Sequence, residues 1–306
     1  MRISDQHLKH LIDRGYTVVE QFLAADELAA AIKNLHRYVP APQELWATPE
    51  RYPWIFEEAD RLQTEFPFVG DALNHVSTHP DLIDFVERVL GTNRVLLSQS
   101  AMWAKYAGTG DFEQALHLDY QGNTLVAPRD DGAYRQVNMI LYYTDVTEEM
   151  GPTCVVPAEL TRNEPLWPTF RPRKKHAALY AKEIPILVKA GSLLIFSMRT
   201  FHRASEMTAE TGARFSHHFI WRGAEHAFQG FHQWSQFGEK PELQQFIERA
   251  TPRQREVLGF PPPGDPYWNE EMLKTVAARY PKIDMSPYKL GGGQAGAKKR
   301  SAARRG

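Results

Sequence analysis

The sequence predicts a mainly β protein with flanking helices, in which two antiparallel sheets close into a jelly roll. Over the middle of the chain, short apolar or β-branched segments follow one another between turn residues. No regular series of helices separates them, as it would in a parallel βαβ sheet. A jelly roll is a common way of closing such antiparallel strands.

Each element is predicted from a local pattern. Residues 15–19 form a short strand after a turn. Residues 24–39 and 80–90 carry apolar side chains at three- and four-residue spacing, which predicts two amphipathic helices, and Gly91 ends the second. The aromatic-rich stretch between them is either an irregular segment packed on the core or a substrate wall. The other predicted strands are 94–100, 101–106, 115–120, 136–143, 154–156, 184–188, 192–196 and 214–221.

The pattern returns to helix after residue 224. Four helices are predicted, at 228–237, 241–250, 252–258 and 269–280. We therefore expect a domain over 1–223, which includes the N-terminal helices, and a helical extension over 224–290 packed on it. Residues 291–306 are rich in glycine, alanine, lysine and arginine, so we expect a disordered basic tail.

Composition excludes several classes of protein. The chain has 306 residues and a formal net charge of −1, so no global charge favours nucleic acid or a membrane surface. Its single cysteine, Cys154, excludes an internal disulfide and a Cys-rich metal motif. We see no signal peptide and no apolar run of membrane-spanning length. A reducing, cytoplasmic setting is expected, and the composition does not indicate an oligomeric state.

The stretch around His117 and Asp119 carries the chemistry. On a strand, residues i and i+2 point to one face, about 6–7 Å apart. His117 and Asp119 could then reach one metal ion, and His202, beyond the apolar strand 192–196, would supply a second imidazole. Two histidines and one carboxylate with open positions are typical of non-haem ferrous oxygenases.

An arginine follows on the next strand. Arg214 opens the strand 214–221, on a hairpin arm beside His202. Its planar guanidinium can offer two parallel donors to the distal carboxylate of a dicarboxylic cosubstrate. His217 and His218 are adjacent and face opposite ways on a strand, so we expect at least one, and more readily both, to be structural.

These motifs resemble the phytanoyl-CoA dioxygenase family of iron- and 2-oxoglutarate-dependent oxygenases. The turn at 144–152, the strand at 155–158 and the sequence 190–192 before an apolar strand add to the resemblance, which covers residues 15–221. It implies a double-stranded β-helix, a cupin-like jelly roll. It also implies Fe(2+) held by His117, Asp119 and His202, with 2-oxoglutarate and O2 as cosubstrates.

The resemblance also implies further roles in the site. Arg214 and Lys105 match the residues that bind 2-oxoglutarate, and Ser205 and Asn138 are further candidates for its contacts. Our candidates for substrate contacts are Tyr120, Trp103, Arg135 and Trp221. No catalytic residue is expected beyond the metal ligands.

The implied function is a dioxygenase that hydroxylates a C–H bond of a small molecule and converts 2-oxoglutarate to succinate and CO2. Related halogenases have a small residue in place of the carboxylate, so Asp119 favours hydroxylation or a related oxidation. Two alternatives remain. One is a cupin-like metal-binding protein without oxygenase turnover, which would not need Arg214 and Lys105. The other is a metal hydrolase, which would need a general base beside the metal.

Overall fold

The chain is seen in a computed structural model that describes residues 2–58, 62–110, 112–123, 126–226, 228–229, 234–237 and 240–289. It divides into two compact units, residues 1–246 and residues 247–306. The predicted helical extension starts earlier, at 224. Part of its first section packs within the first unit, where Phe66 contacts Trp234 and Phe246 edge to face at 5.0 and 5.4 Å.

Nine strands and eleven helices are assigned over the described residues. The strands are β1 (Tyr16–Val19), β2 (Gln63–Glu65), β3 (Val95–Tyr106), β4 (Val137–Tyr142), β5 (Thr153–Val155), β6 (Ile184–Pro185), β7 (Leu193–Ser197), β8 (His202–Ala204) and β9 (Ala213–Gly223). The helices are α1 (Asp5–Arg14), α2 (Ala25–Leu35), α3 (Pro42–Ala47), α4 (Pro53–Glu57), α5 (Ala72–Ser77), α6 (Pro80–Leu90), α7 (Tyr120–Asn123), α8 (Arg173–Tyr180), α9 (Pro241–Arg249), α10 (Pro252–Glu256) and α11 (Glu270–Arg279).

The strands form two antiparallel sheets. The larger sheet has the order β1-β7-β4-β9-β3-β2, and the smaller has the order β6-β5-β8. One apolar cluster joins them, with Tyr142, Leu194 and Phe196 from the larger sheet and Val155 from the smaller. The two sheets therefore pack face to face around a shared core, and the prediction of a mainly β protein with flanking helices is confirmed.

Helix α6 has the bounds predicted from the sequence, and residues at its two ends explain where it begins and ends. In α6, the ring of His79 accepts a hydrogen bond from the amide of Asp81, and Pro80 occupies the first position. Gly91 ends the helix with φ +65°, a left-handed conformation that glycine adopts without strain. The apolar face of α6, including Leu82, is buried.

Several predicted elements differ from the structure. Residues 115–120 are not a continuous strand: only Leu116 and His117 form isolated bridges, and α7 begins at Tyr120. The predicted strands 94–100 and 101–106 are one strand, β3, with a register shift at Leu97/Gln99. Of the predicted helix 228–237, the described part contains a 3₁₀ helix at Trp234–Phe237. The predicted tail, 291–306, lies outside the described residues.

The second unit has an aromatic cluster of its own. Trp268, Met285 and Tyr288 are buried together, and the guanidinium of Arg255 donates to the carbonyl of Ile247 at 2.8 Å. Among the described residues, no helix has both the length and the apolar character needed to cross a membrane.

Candidate active site

His117 and His202 lie directly opposite each other. The amide of His117 donates to the carbonyl of His202 at 2.9 Å, and the amide of His202 donates back at 3.1 Å. This reciprocal pair is the antiparallel arrangement that holds two residues side by side. It fixes His117, in the loop between β3 and β4, against His202 at the start of β8 on the smaller sheet. The centroids of the imidazoles are 4.5 Å apart.

Asp119 completes a group of three side chains that could hold one metal ion. Its Oδ1 lies 3.3 Å from Nε2 of His117, and its Oδ2 lies 3.3 Å from Nε2 of His202. One ligand atom from each residue lies within 4.8 Å of the others. Burial alone would raise the pKa of Asp119, but the charge of His202 and hydrogen bonds from both imidazoles lower it. The carboxylate is therefore ionised, as a metal ligand must be.

Main-chain carbonyls orient both imidazoles. Nδ1 of His117 lies 2.8 Å from the carbonyl of Ala115, and Nδ1 of His202 lies 3.0 Å from the carbonyl of Thr200. Because a carbonyl only accepts, each Nδ1 carries a proton. The Nε2 atoms are therefore the ones that would bind a metal, in place of their contacts with Asp119. This donor set fits a divalent transition metal such as iron.

Asn138 supports the carboxylate from the larger sheet. Its Nδ2 donates to Oδ2 of Asp119 at 3.1 Å and lies 3.7 Å from Sδ of Met198. Its Oδ1 is buried without a hydrogen-bond partner among the described residues. The position lies on β4 between β7 and β9, where sheet pairing on both sides fixes the backbone.

A cavity of about 250 Å³ contains the three ligands. Alternate residues of β9 line it, since strand side chains point to one face at every second position. They are Arg214, Ser216, His218 and Ile220. Apolar side chains such as Phe196 contribute another part of the wall. The cavity thus lies between the two sheets.

Arg214 is a buried cation that lines this cavity. It is 5% exposed, and its Nη1 has no hydrogen-bond partner among the described residues. Burial lowers its pKa from the usual value, and its charge is poorly solvated. Lys105 lies directly across from it in the β3–β9 register and also lines the cavity. An unsatisfied buried guanidinium beside a second cation fits the carboxylate of a dicarboxylic acid.

Four predicted site residues are not among those that line the cavity. The hydroxyl of Ser205 donates to the carbonyl of Pro152 at 2.7 Å, and that of Tyr120 donates to the carbonyl of Leu166. Arg135 pairs with Asp130 at 3.0 Å. Trp221 is fully buried in the core. Because these side chains have other partners or surroundings, none of them enters the site proposed below. Trp103, the remaining substrate candidate, does line the cavity.

His218 lines the candidate site, although it was not predicted there, and its neighbour His217 points the other way. His218 lines the cavity beside Ser216, whereas His217 lies on the opposite face of β9. There its ring contacts the hydroxyls of Ser100 at 2.9 Å and Tyr143 at 2.8 Å. Burial lowers the pKa of His218 to about 3, so its ring is neutral. The spacing of His218 from Arg214 along one strand could have identified it from the sequence.

Comparison with known proteins identifies the family. The sequence profile of the phytanoyl-CoA dioxygenase family matches residues 12–215, well over half of the chain. The chain belongs to the phytanoyl-CoA dioxygenase family. This confirms the resemblance from which His117, Asp119, His202 and Arg214 received their expected roles.

Solved structures share the fold of this family member. The epimerase SnoN, in complex with Fe3+, α-ketoglutarate and nogalamycin RO, has a TM-score of 0.52 and 15% identity, over 72% of this chain and 83% of its own. The carbocyclase SnoK has a TM-score of 0.53 and 16% identity, over 72% and 84%. HygX from Streptomyces hygroscopicus, with nickel and 2-oxoglutarate bound, has a TM-score of 0.51 and 15% identity, over 72% and 87%. The fold is thus the cupin-like jelly roll, the double-stranded β-helix predicted from the sequence.

Proposed function

We propose that this protein is an iron(II)- and 2-oxoglutarate-dependent dioxygenase that hydroxylates a C–H bond of a small molecule. The observation that carries the proposal is the buried guanidinium of Arg214, whose Nη1 is unsatisfied, in the cavity that contains His117, Asp119 and His202. A protein that only stores or senses a metal has no need of an unpaired buried cation, which is costly to fold. A dicarboxylic cosubstrate would satisfy it.

Each residue has a defined task in this proposal. His117, Asp119 and His202 would hold the iron, and Arg214 with Lys105 would hold the distal carboxylate of 2-oxoglutarate. Iron at this site, with 2-oxoglutarate and O2, supplies the oxidising chemistry: 2-oxoglutarate loses CO2 to become succinate, which takes one oxygen atom, and the other enters the substrate C–H bond.

The protein's own contribution is position and exclusion of water. Asn138 donates to Asp119 and holds its carboxylate in one rotamer. Phe196 and Ile140 line the cavity with apolar surface, which limits water around the reacting groups. Asp119 occupies the position that a halogenase would leave open for halide, and this favours transfer of oxygen.

Proteins of the same fold have been solved with small molecules bound, which supports a small-molecule substrate for this protein. SnoN has been solved with nogalamycin RO and HygX with hygromycin B. SnoN is an epimerase and SnoK a carbocyclase. The test of our proposal must therefore distinguish hydroxylation from reactions that add no oxygen to the substrate.

The experiment measures succinate formed from 2-oxoglutarate by anaerobically prepared Fe(II) protein after O2 is admitted, with and without a panel of candidate substrates. We expect succinate from the wild type and none above background from His202→Ala, because that variant lacks one of three metal ligands. Arg199→Ala, a change outside the cavity, serves as the control and should keep wild-type rates.

The mass of the product decides the reaction type. Hydroxylation adds one oxygen atom, and this atom carries the label when ¹⁸O2 is used. An isomer of unchanged mass, or a product that has lost two hydrogens, would contradict hydroxylation. The proposal that the enzyme depends on 2-oxoglutarate would still stand. A protein that binds metal but neither binds nor consumes 2-oxoglutarate would be a cupin-like metal-binding protein instead.

A further inference from the structure

Phe170 lies directly beside two of the proposed metal ligands. Leu116 and Arg171 form an antiparallel bridge, and this register places Phe170 opposite His117. On its other side, His117 is bridged to His202. Residues that lie opposite each other in antiparallel pairs point to the same face. Phe170, His117 and His202 therefore form one row of side chains.

The ring of Phe170 stacks on the imidazole of His117. The two ring centroids are 5.6 Å apart, and the angle between the ring planes is 20°. Nε2 of the same imidazole lies 3.3 Å from Oδ1 of Asp119. The imidazole of His117 thus lies between the phenyl ring and the carboxylate, and Phe170 forms the outer end of the row.

Exposure to solvent rises from the proposed cosubstrate site towards Phe170. Arg214 is 5% exposed, whereas the side chains of His117 and Asp119 are 13% and 31% exposed. Phe170 is 55% exposed. Because one face of its ring lies on His117, the exposed surface is the opposite face and the outer edge. A substrate can therefore approach the metal site along Phe170 without entering the space assigned to the cosubstrate.

The backbone on both sides of Phe170 is held in place. A single exposed phenylalanine is ordinary on a protein surface. Here, however, the amide of Leu118 donates to the carbonyl of Thr169, and the amide of Arg171 donates to the carbonyl of Leu116. Thr169 and Arg171 are themselves buried. A ring presented from such a fixed backbone can bind an apolar group at a low cost in conformational entropy.

We propose that Phe170 is a specificity-determining residue, whose exposed ring packs against a flat apolar ring of the substrate at the edge of the metal site. This inference rests on the proposed function, which assigns the cavity around Arg214 to the cosubstrate. Nearly parallel stacking on His117 leaves a flat surface, and a flat surface favours a planar apolar group over a polar one. The substrate class is a small molecule that carries a planar apolar ring close to the carbon that is hydroxylated.

The test uses anaerobic full-length protein loaded with 2-oxoglutarate and Mn(II), with the Zn(II) form as the diamagnetic reference. Proton NMR relaxation shows whether a bound molecule lies near the metal, because paramagnetic Mn(II) accelerates the relaxation of nearby protons. Benzyl alcohol is the probe with a flat apolar ring, and glycerol is the probe without one. We expect the enhancement of relaxation for the ring protons of benzyl alcohol to exceed that for glycerol about fivefold or more.

Two variants and a control locate the probe, all compared at equal bound Mn(II). Phe170→Leu keeps an apolar side chain against His117 and removes the flat ring, so the enhancement should fall about two- to tenfold. Phe170→Ser also removes the apolar surface, and the enhancement should fall at least as far. The control is Leu187→Ser, which should leave the enhancement unchanged. Leu187 is similarly exposed, but its neighbours Ile186 and Val188 point into the core between the sheets, so Leu187 faces the other way.

The protons of 2-oxoglutarate, measured in the same samples, separate this inference from the proposed function. If they relax faster beside Mn(II) but those of benzyl alcohol do not, the role of Phe170 is wrong and the oxygenase stands. An equal enhancement for glycerol, or an undiminished one for benzyl alcohol in both Phe170→Leu and Phe170→Ser, also overturns it. If 2-oxoglutarate shows no enhancement in the wild type, the proposed function is wrong and this inference falls with it.

Discussion

At the scale of single residues, Asn138 connects the larger sheet to the proposed metal site. Its Nδ2 donates to the carboxylate of Asp119 at 3.1 Å. We predict that Asn138→Leu, which keeps the volume and removes the donor, lowers the affinity for Co(II) about 10- to 100-fold, the usual cost of losing a hydrogen bond to a metal ligand. Calorimetric titration of the metal-free protein measures this change.

Asn123→Ala is the matched control for Asn138→Leu. In the wild type, Nδ2 of Asn123 donates to the main-chain carbonyl of Asp119, not to its carboxylate. We expect its metal affinity to stay within about threefold of the wild type, because the carboxylate keeps its own partner. Equal losses in the two variants would mean that Asn138 acts only through general packing.

The sequence offers more ground for a hypothesis about metal ligands than for one about substrate contacts. Same-face spacing and chain order are local properties, and they sufficed for a hypothesis about His117, Asp119 and His202. The position of the Tyr120 side chain depends on a partner distant in the sequence, the carbonyl of Leu166. Arg135 pairs with Asp130, which is close in the sequence. Their side-chain chemistry alone does not reveal which of these partners they reach.

At the scale of elements, the stretch with His117 and Asp119 is held by a neighbouring segment. The amide of Leu118 donates to the carbonyl of Thr169 at 3.2 Å, and that of Arg171 donates to the carbonyl of Leu116 at 2.7 Å. The fully buried guanidinium of Arg171 bonds to the carbonyl of Pro165 and lies 5.1 Å from the ring of Phe201. Residues 165–171 therefore support the loop that carries two of the proposed metal ligands.

We predict that Arg171→Leu lowers the free energy of unfolding by about 1–3 kcal/mol, because the carbonyl of Pro165 loses its donor and the ring of Phe201 loses its contact with the buried guanidinium. Metal affinity should fall as well, since the support of the loop is weakened. Urea unfolding and Co(II) titration measure the two effects. Loss of stability with unchanged metal affinity would contradict the supporting role of this segment.

His217, on the face of β9 that points away from the cavity, should make the stability of the protein depend on pH. Burial, with a smaller contribution from His218, keeps the pKa of His217 well below its usual range. Below about pH 6.5 the unfolded chain therefore binds a proton that folded His217 does not, and stability falls as the pH falls. From pH 6.5 to 5.5 this histidine costs about 1 kcal/mol.

His217→Phe tests this assignment. The variant should be less stable at pH 7.5, because the hydroxyls of Ser100 and Tyr143 lose a partner. Its free energy of unfolding should then fall less steeply between pH 6.5 and 5.5, which urea titrations at both pH values will measure. An unchanged slope would mean that His217 does not titrate in this way.

The strand and helix types followed from periodicity, but the pairings did not. The apolar runs predicted β4 and β7 to within about two residues of their observed ends. The sequence did not indicate that 94–106 is one strand with a shift at Leu97/Gln99, because a bulge depends on the partner strand. It also did not reveal that 115–120 pairs through isolated bridges only.

At the scale of the whole molecule, fold class and family were predictable from the sequence, whereas the domain boundary at 224 stays a prediction. A jelly roll follows from the number and spacing of strands, and the family profile confirms the motifs over residues 12–215. The predicted domain boundary at 224 follows the last strand, but Phe246 packs on Phe66 within the first unit. Such contacts depend on tertiary packing that no local pattern encodes.

The central claim is that 2-oxoglutarate binds at this metal site through Arg214. The most direct measurement is a calorimetric titration of 2-oxoglutarate into anaerobic Fe(II) protein, for the wild type, Arg214→Lys and Arg214→Ala. We predict micromolar affinity for the wild type, on the order of a tenfold loss in Arg214→Lys, which keeps the charge without the fork, and at least about a hundredfold loss in Arg214→Ala. Wild-type affinity in Arg214→Ala, or no binding to the wild type, would contradict the account.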